Sequence, residues 1–200
     1  MAMLQSPSSP DECRLWFCSV SPKGNVPVVT YDQSKNAVSG WVLSSVGDQP
    51  GIVEPVLYNA KTASVRTIMS YKMLATGTGD ILARDEGLDL FSQLPTNEVS
   101  LYRAKIVCRD GEVDKFFAVR PYLLRACTDL ARSNIKWTRQ DEFYVGWDKI
   151  KFIRGCMKGA HIARESLSKM VIVSNAFKTA AQRIEPKGIG FSDPERPWGF

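Results

Sequence analysis

The sequence predicts an α+β fold: a single domain in which a mixed, largely antiparallel sheet carries a few packed helices. Three observations predict it. Short β-branched and aromatic runs, such as residues 13–20 (CRLWFCSV) and 169–174 (KMVIVS), recur from end to end. The stretch up to Val56 is broken by Pro27, Gly40, Gly47, Pro50, Gly51 and Pro55, which preclude a long helix there. Helical character is confined to short segments, above all 85–94 and 175–184.

The elements follow in order. Residues 1–12 (MAMLQSPSSPDE) read as a loose, polar leader, and 13–20 as a buried strand. Residues 21–25 (SPKGN) have turn chemistry, and short strands and loops are expected up to Val56, including VPVVTY and GWVLSSV. Residues 63–74 (ASVRTIMSYKML) are compatible with helix or strand, and 75–80 (ATGTGD) read as a flexible break. A short helix is expected over 85–94, where an acidic start precedes Leu90, Phe91 and Leu94 on one face and Pro95 stops it. Residues 99–107 and 115–120 predict a hairpin turning at 109–112 (RDGE), with Asp-Gly at its centre. After Pro121 the run YLLRACTDLARSNIKW has a helix-friendly middle, and 141–145 and 150–153 suggest two strands. Val171, Ile172 and Val173 make the strongest strand signal. Ser174 stands where a helix N-cap belongs, before NAFKTAAQRI. Residues 188–191 return as a strand, and 194–200 form a polar, proline-punctuated tail. The domain reading is therefore 1–12 leader, 13–193 single domain, 194–200 tail.

Composition excludes several classes. At 44% hydrophobic and 24% charged, 200 residues suffice for a buried core and do not match a disordered chain. The net charge of +5 comes from scattered residues, without a run of five Lys/Arg, and predicts a mixed solvated surface. No stretch approaches a membrane span and the start lacks signal-peptide character, so the expected compartment is the cytoplasm. Cys13, Cys18, Cys108, Cys127 and Cys156 are odd in number and irregularly spaced, which predicts buried reduced thiols rather than a disulfide framework or a zinc site.

His161 is the one histidine, which excludes paired-histidine metal sites. No serine sits in a nucleophile elbow and no cysteine in a marked nucleophile context. The Gly77-Thr78-Gly79-Asp80 stretch lacks the third glycine of a dinucleotide fingerprint and the Gly-Lys-Ser/Thr of a triphosphate loop. The carboxylate pairs Asp85/Glu86 and Asp141/Glu142, and the group Asp110, Glu112 and Asp114, lie in turns or at element starts, where they serve solubility and helix dipoles. The expectation is no catalytic residue, no metal and no cofactor. Aromatics interleaved with cations form the candidate binding surface: Trp137, Arg139, Tyr144, Trp147 and Lys149, residue types that anchor protein interfaces. The structural alternative is that two or three of these rings belong to the core.

From Asp80 onward the order of pieces resembles a bacterial family of polymorphic-toxin immunity proteins, the "immunity eleven" type. The pieces are GLDLFSQL, VSLYRAKIV, KFFAVRPYLLRACTDLARSNIKW with Asp129 and Ser133, DKIKFIRGCMKGAHIARES, and MVIVSNAFKTAAQRIEPKGIGF. The resemblance spans 80–191, with Phe116 and Phe117 standing where the family pattern has paired tyrosines. It implies a non-enzymatic antidote that binds a cognate secreted toxin and covers its active site. The chain departs from the acidic surfaces common in such proteins, and its net charge of +5 leads to the expectation of a toxin with an acidic cleft. The alternative is a basic nucleic-acid-associated or regulatory protein, motivated by the +5 charge and the Lys/Arg-flanked aromatics.

Overall fold

The computed structural model describes residues 14–21, 25–37, 52–95, 98–137 and 144–199. Strand β1 (Leu15–Val20) is followed by β2 (Thr30–Tyr31) and β3 (Val56–Ala60). Helix α1 (Val65–Met69) leads into β4 (Met73–Ala75) and β5 (Ile81–Ala83). Helix α2 (Glu86–Ser92) precedes the long hairpin of β6 (Val99–Cys108) and β7 (Gly111–Pro121). Then come β8 (Leu124–Arg125), β9 (Asn134–Trp137), β10 (Tyr144–Lys149), β11 (Ile162–Glu165) and β12 (Val171–Ser174). Helix α3 (Asn175–Ile184), β13 (Ile189–Ser192) and β14 (Trp198–Gly199) complete the described chain.

These strands form three sheets. One has the order β13-β1-β12-β11-β8, a second β2-β3-β6-β7-β5-β4, and a third β14-β10-β9. Pairing is antiparallel except for β3 with β6 and β8 with β11, so the expectation of a mixed, largely antiparallel α+β arrangement holds at the level of class. The strand material is divided among several sheets rather than gathered into one.

The layering follows from side-chain alternation. In β12, Val171 and Val173 pack in one apolar cluster with Met73, Ile81, Phe91 and Phe177, while Ile172 points the other way to Phe17, Trp147 and Ile150. Successive side chains leave a strand on opposite faces, so a consecutive β-branched run is what a sheet covered on both sides requires. In the second sheet, β5 divides likewise: Ile81 and Ala83 join the shared middle cluster, and Leu82 faces Tyr58, Ile68, Ile106 and Phe116. The two larger sheets thus share one interior, with helices α2 and α3 packed at its margin through Phe91 and Phe177, whose ring centroids are 5.5 Å apart.

Helix α3 begins where Ser174 predicts: its hydroxyl accepts from the Phe177 N–H at 3.1 Å. The helix buries Phe177 and Ala181, one turn apart on a single face. Helix α2 likewise buries Leu90 and Phe91. The ambiguous 63–74 segment is both things in turn, a five-residue helix capped by Ser64 and then the start of β4.

Several expectations are corrected. The helix-friendly run after Pro121 contains β8, turns and β9, and no helix among the described residues. Parallel pairing of Leu124 and Arg125 with Arg164 and Glu165 outweighs its weak helical propensity. The 150–153 strand reduces to a single bridge between Phe152 and Thr128. Cys108 pairs with Gly111, so the hairpin loop is Arg109–Asp110, one residue earlier than the Asp-Gly reading. The 75–80 break is the ordered turn of a β4–β5 hairpin, closed by the Thr76 N–H donating to the Asp80 carbonyl at 2.9 Å. The polar tail supplies β14, which pairs with β10.

The thiol expectation is corrected too. Cys127 and Cys156 form a disulfide across 29 positions, with Cα atoms 5.1 Å apart. The Thr128–Phe152 bridge and the Ile153 N–H donating to the Cys127 carbonyl at 2.8 Å bring the two segments together, a proximity that sequence spacing does not reveal. Cys18 and Cys108 are free and buried. The leader, most of the 21–25 turn, and the segments 40–46 and 141–143 lie outside the described residues. No helix among the described residues is long and apolar enough to cross a membrane.

Candidate functional site

The third sheet carries most of the predicted binding residues. Trp137 ends β9 half-buried, opposite Tyr144 in the β9–β10 register, and Lys149 ends β10 exposed, opposite Asn134. Arg139 lies outside the described residues. Trp147 is fully buried: its ring lies 4.7 Å from Phe17, centroid to centroid, and its indole N–H donates to the Arg196 carbonyl at 2.9 Å. That residue anchors the sheet to the core and offers no face to a partner. Next to this sheet the structure exposes apolar side chains that sequence reasoning did not single out, Leu130 at 61% and Ile153 at 47%. The Leu130 turn is tied down by the Asp129 N–H to the Lys151 carbonyl and by Ser133 Oγ, which accepts from the Lys151 N–H at 2.9 Å. Leu130 sits in a run that reads as helix, so nothing local marked it as a surface position.

A second feature is a buried charged centre between the two larger sheets. Asp80, at the start of β5, is fully buried and takes a two-pronged grip from Arg120 of β7, whose Nε and Nη2 each donate at 2.8 Å. The Tyr58 hydroxyl donates to the same carboxylate at 2.7 Å. Burial, with Asp80 as second cause, pushes the Tyr58 phenol well up. Burial works against the Arg120 charge, but the hydrogen bonds and charge of Asp80 more than offset it, and its pKa is raised. Arg164 of β11 stands farther off, its Nη2 3.8 Å from Asp80 Oδ1. Its guanidinium donates instead to the carbonyls of Thr78 at 3.1 Å and Lys169 at 3.3 Å, and burial lowers its pKa.

Arg164 also lines an open cleft of about 460 Å³ between the 76–79 turn and the 166–170 turn, with Cys18 and Ser19 on its third side. Gly79 has φ +78°, and a Cβ there would meet Arg164 Nη1 at 2.6 Å, so a side chain at this position is excluded twice over. The glycine-rich stretch is therefore a fixed wall beside a buried arginine. Sequence reasoning weighed Gly77–Asp80 alone; Tyr58, Arg120 and Arg164 come from three distant strands and carry no local signature.

The other buried polar groups hold backbone. His161 Nδ1 is 2.9 Å from Ser174 Oγ, and burial lowers the imidazole pKa. The Glu98 carboxylate accepts from the N–H groups of His161 and Ile162 at 2.9 and 3.1 Å, its pKa raised by burial. Glu165 accepts from the N–H groups of Leu167 and Ser168, and Glu185 from those of Lys72, Lys187 and Gly188. Burial pushes the Cys18 thiol up to about 12, far from a reactive thiolate. Among the described residues no group of three or more His, Cys, Asp or Glu is placed to hold a metal ion.

A search of the curated proteins finds no match for this chain. A protein-family model does match. It covers β7 to β13 and the turn that leads to β14, starting later than the resemblance read from sequence and ending slightly beyond it. Residues 111–196 thus match the model of the Immunity protein family (Imm11).

Proposed function

We propose that this chain is the antidote to a cognate secreted bacterial toxin, and that it neutralises the toxin by binding it and covering its active site, without chemistry of its own. The observation that carries this reading is the immunity-family match over residues 111–196. The structure supports it in a second way: each buried carboxylate described above, and His161, is engaged in holding backbone or another buried side chain. Inhibition by coverage needs only a complementary surface of about 1,600 Å² in total and a few anchors.

The proposed surface lies at the third sheet, where Trp137 is half-buried and Lys149 exposed, while Trp147 anchors the sheet to the core; Tyr144 and Arg139 are the further proposed contacts. A chain with net charge +5 suits a toxin whose active-site cleft is acidic, because opposite fields speed encounter. The proposed setting is the cytoplasm of a bacterium that exchanges toxins with competitors, through a type VI-like or contact-dependent system. The test is co-expression with the product of the neighbouring reading frame, reading both co-purification and growth. A stable complex with rescue of growth is expected. Neither complex nor rescue would end the proposal.

A further inference from the structure

We infer that the cleft beside Arg164 is a binding site for a small oxyanion, a phosphate or a carboxylate group, held by the Arg164 guanidinium at its floor. Three independent observations lead there.

The first is a charge count. Arg120, Arg164 and Asp80 are all essentially inaccessible, which leaves two buried cations to one buried anion. Asp80 accepts from Arg120, Tyr58 and, at 3.4 Å, the Thr78 hydroxyl, and Arg164 lies at 3.8 Å, within ion-pair reach but outside hydrogen-bond range. The neighbouring acid in sequence, Glu165, leaves β11 on the opposite face and is taken by the N–H groups of Leu167 and Ser168. Glu98 and Glu185 are likewise engaged with backbone elsewhere. Two buried cations that share one carboxylate, which Arg164 meets only as a 3.8 Å ion pair without a hydrogen bond, leave a charge deficit that a bound anion removes.

The second is the unused donor. Arg164 Nε is buried with no hydrogen-bond partner, and the two outer nitrogens have only carbonyl oxygens at 3.1 and 3.3 Å. A guanidinium is built for forked recognition of an oxyanion, and neutral carbonyls are the weaker acceptors for it.

The third is the shape around it. The cleft has room for a small molecule, and its walls are held in shape by Thr78, which meets Thr76 and Asp80, by Ser168, which donates to Glu165, and by Lys169, whose left-handed φ of +58° is unusual for lysine. Gly77 opens the mouth, since a Cβ placed there meets nothing within 4 Å.

The experiment uses the full chain and two probes added separately, inorganic phosphate and acetate, each against chloride at matched ionic strength. Amide and Arg Nε–H resonances are followed by NMR. Saturable shifts confined to the 76–79 and 166–170 turns and to Arg164 are expected, and the probe that saturates at the lower concentration identifies the phosphate or the carboxylate source. Because Arg164→Met can compromise folding, the decisive pair is Gly77→Glu and Gly77→Lys, which project into open space. Glu at the mouth should weaken binding roughly ten-fold or more, and Lys should preserve or tighten it. No saturable shift with either probe, or equal binding by the two Gly77 variants, overturns the inference. The outcome is independent of toxin binding, which is read by co-purification and growth.

Discussion

Replacing Asp80 with alanine is the perturbation for which the structure gives the clearest magnitude. The variant strands Arg120 with two donors that had reached a carboxylate at 2.8 Å, and Tyr58 with a hydroxyl that had reached it at 2.7 Å. None of these groups can turn to water, because the Arg120 and Asp80 side chains are fully buried. Three hydrogen bonds to a charged group, at about 1.5–3 kcal/mol each, give roughly 4.5–9 kcal/mol, and breaking a buried ion pair by removing one partner typically costs about 3–5 kcal/mol. The lower range is the better expectation, since Tyr102 lies beneath the Arg120 guanidinium at 5.3 Å and keeps some stabilisation of the charge. With a urea m-value of about 2 kcal/mol/M, the unfolding midpoint should fall by roughly 1.5–2.5 M. The assay is equilibrium urea unfolding followed by tryptophan fluorescence, on wild type, Asp80→Ala, Arg120→Met and the double variant. The double variant should be more stable than the two single losses predict when added, because removing both partners leaves no orphaned charge between them. An Asp80→Ala loss below about 1 kcal/mol, or strict additivity, would refute the reasoning that this carboxylate is the counter-ion of the centre.

The remaining predictions rest on other parts of the fold. Cys127→Ser should lower stability by about 3.5 kcal/mol on the chain-entropy account of a 29-residue loop, measured as the difference between urea unfolding with and without a reductant for wild type; a reductant-insensitive midpoint would sink it. Ser174→Ala should cost about 1–2 kcal/mol in the same assay, since the hydroxyl caps α3 through Phe177 and also meets His161 Nδ1. His161, the sole histidine, should titrate below its ordinary value of 6.5 in a one-resonance NMR titration, because burial disfavours the imidazolium. The folded state then binds fewer protons, so this contribution to stability is complete above 6.5 and is lost as pH falls below it towards the depressed native value. Comparison with His161→Gln isolates it from the opposite contribution of Glu98, whose carboxyl is raised by burial.

Much of the fold was legible because some segments declare themselves twice. Residues 171–184 combine a consecutive β-branched strand, a serine cap and a helix with its apolar positions on one face, and the structure reproduces that order. The hairpin of β6 and β7 was equally visible, though its loop lies one residue earlier than Asp-Gly suggests. What stayed hidden is what depends on distant pairing. Leu124 and Arg125 become strand because Arg164 and Glu165 lie beside them, and Cys127 meets Cys156 because of a bridge between Thr128 and Phe152. The charged centre was hidden for the same reason: Tyr58, Asp80, Arg120 and Arg164 lie on four different strands or their ends. Of the candidate aromatics, Trp147 went to the interior, and its neighbours in sequence do not mark it as a core position.

The placement of β1 between β12 and β13 has a consequence for how the protein is made. Its hydrogen-bonding partners emerge from the ribosome last: the Trp16 indole donates to Asn175, 159 positions later. During synthesis the apolar segment that carries Trp16, Phe17 and Cys18 therefore waits, with both edges unpaired, until β12 and β13 have been made. Closure of this sheet therefore comes after its last strand is made, with the slow step that long-range strand pairing imposes. A nascent-chain release assay would see the protease-resistant state arise only after the β13 residues have left the exit tunnel.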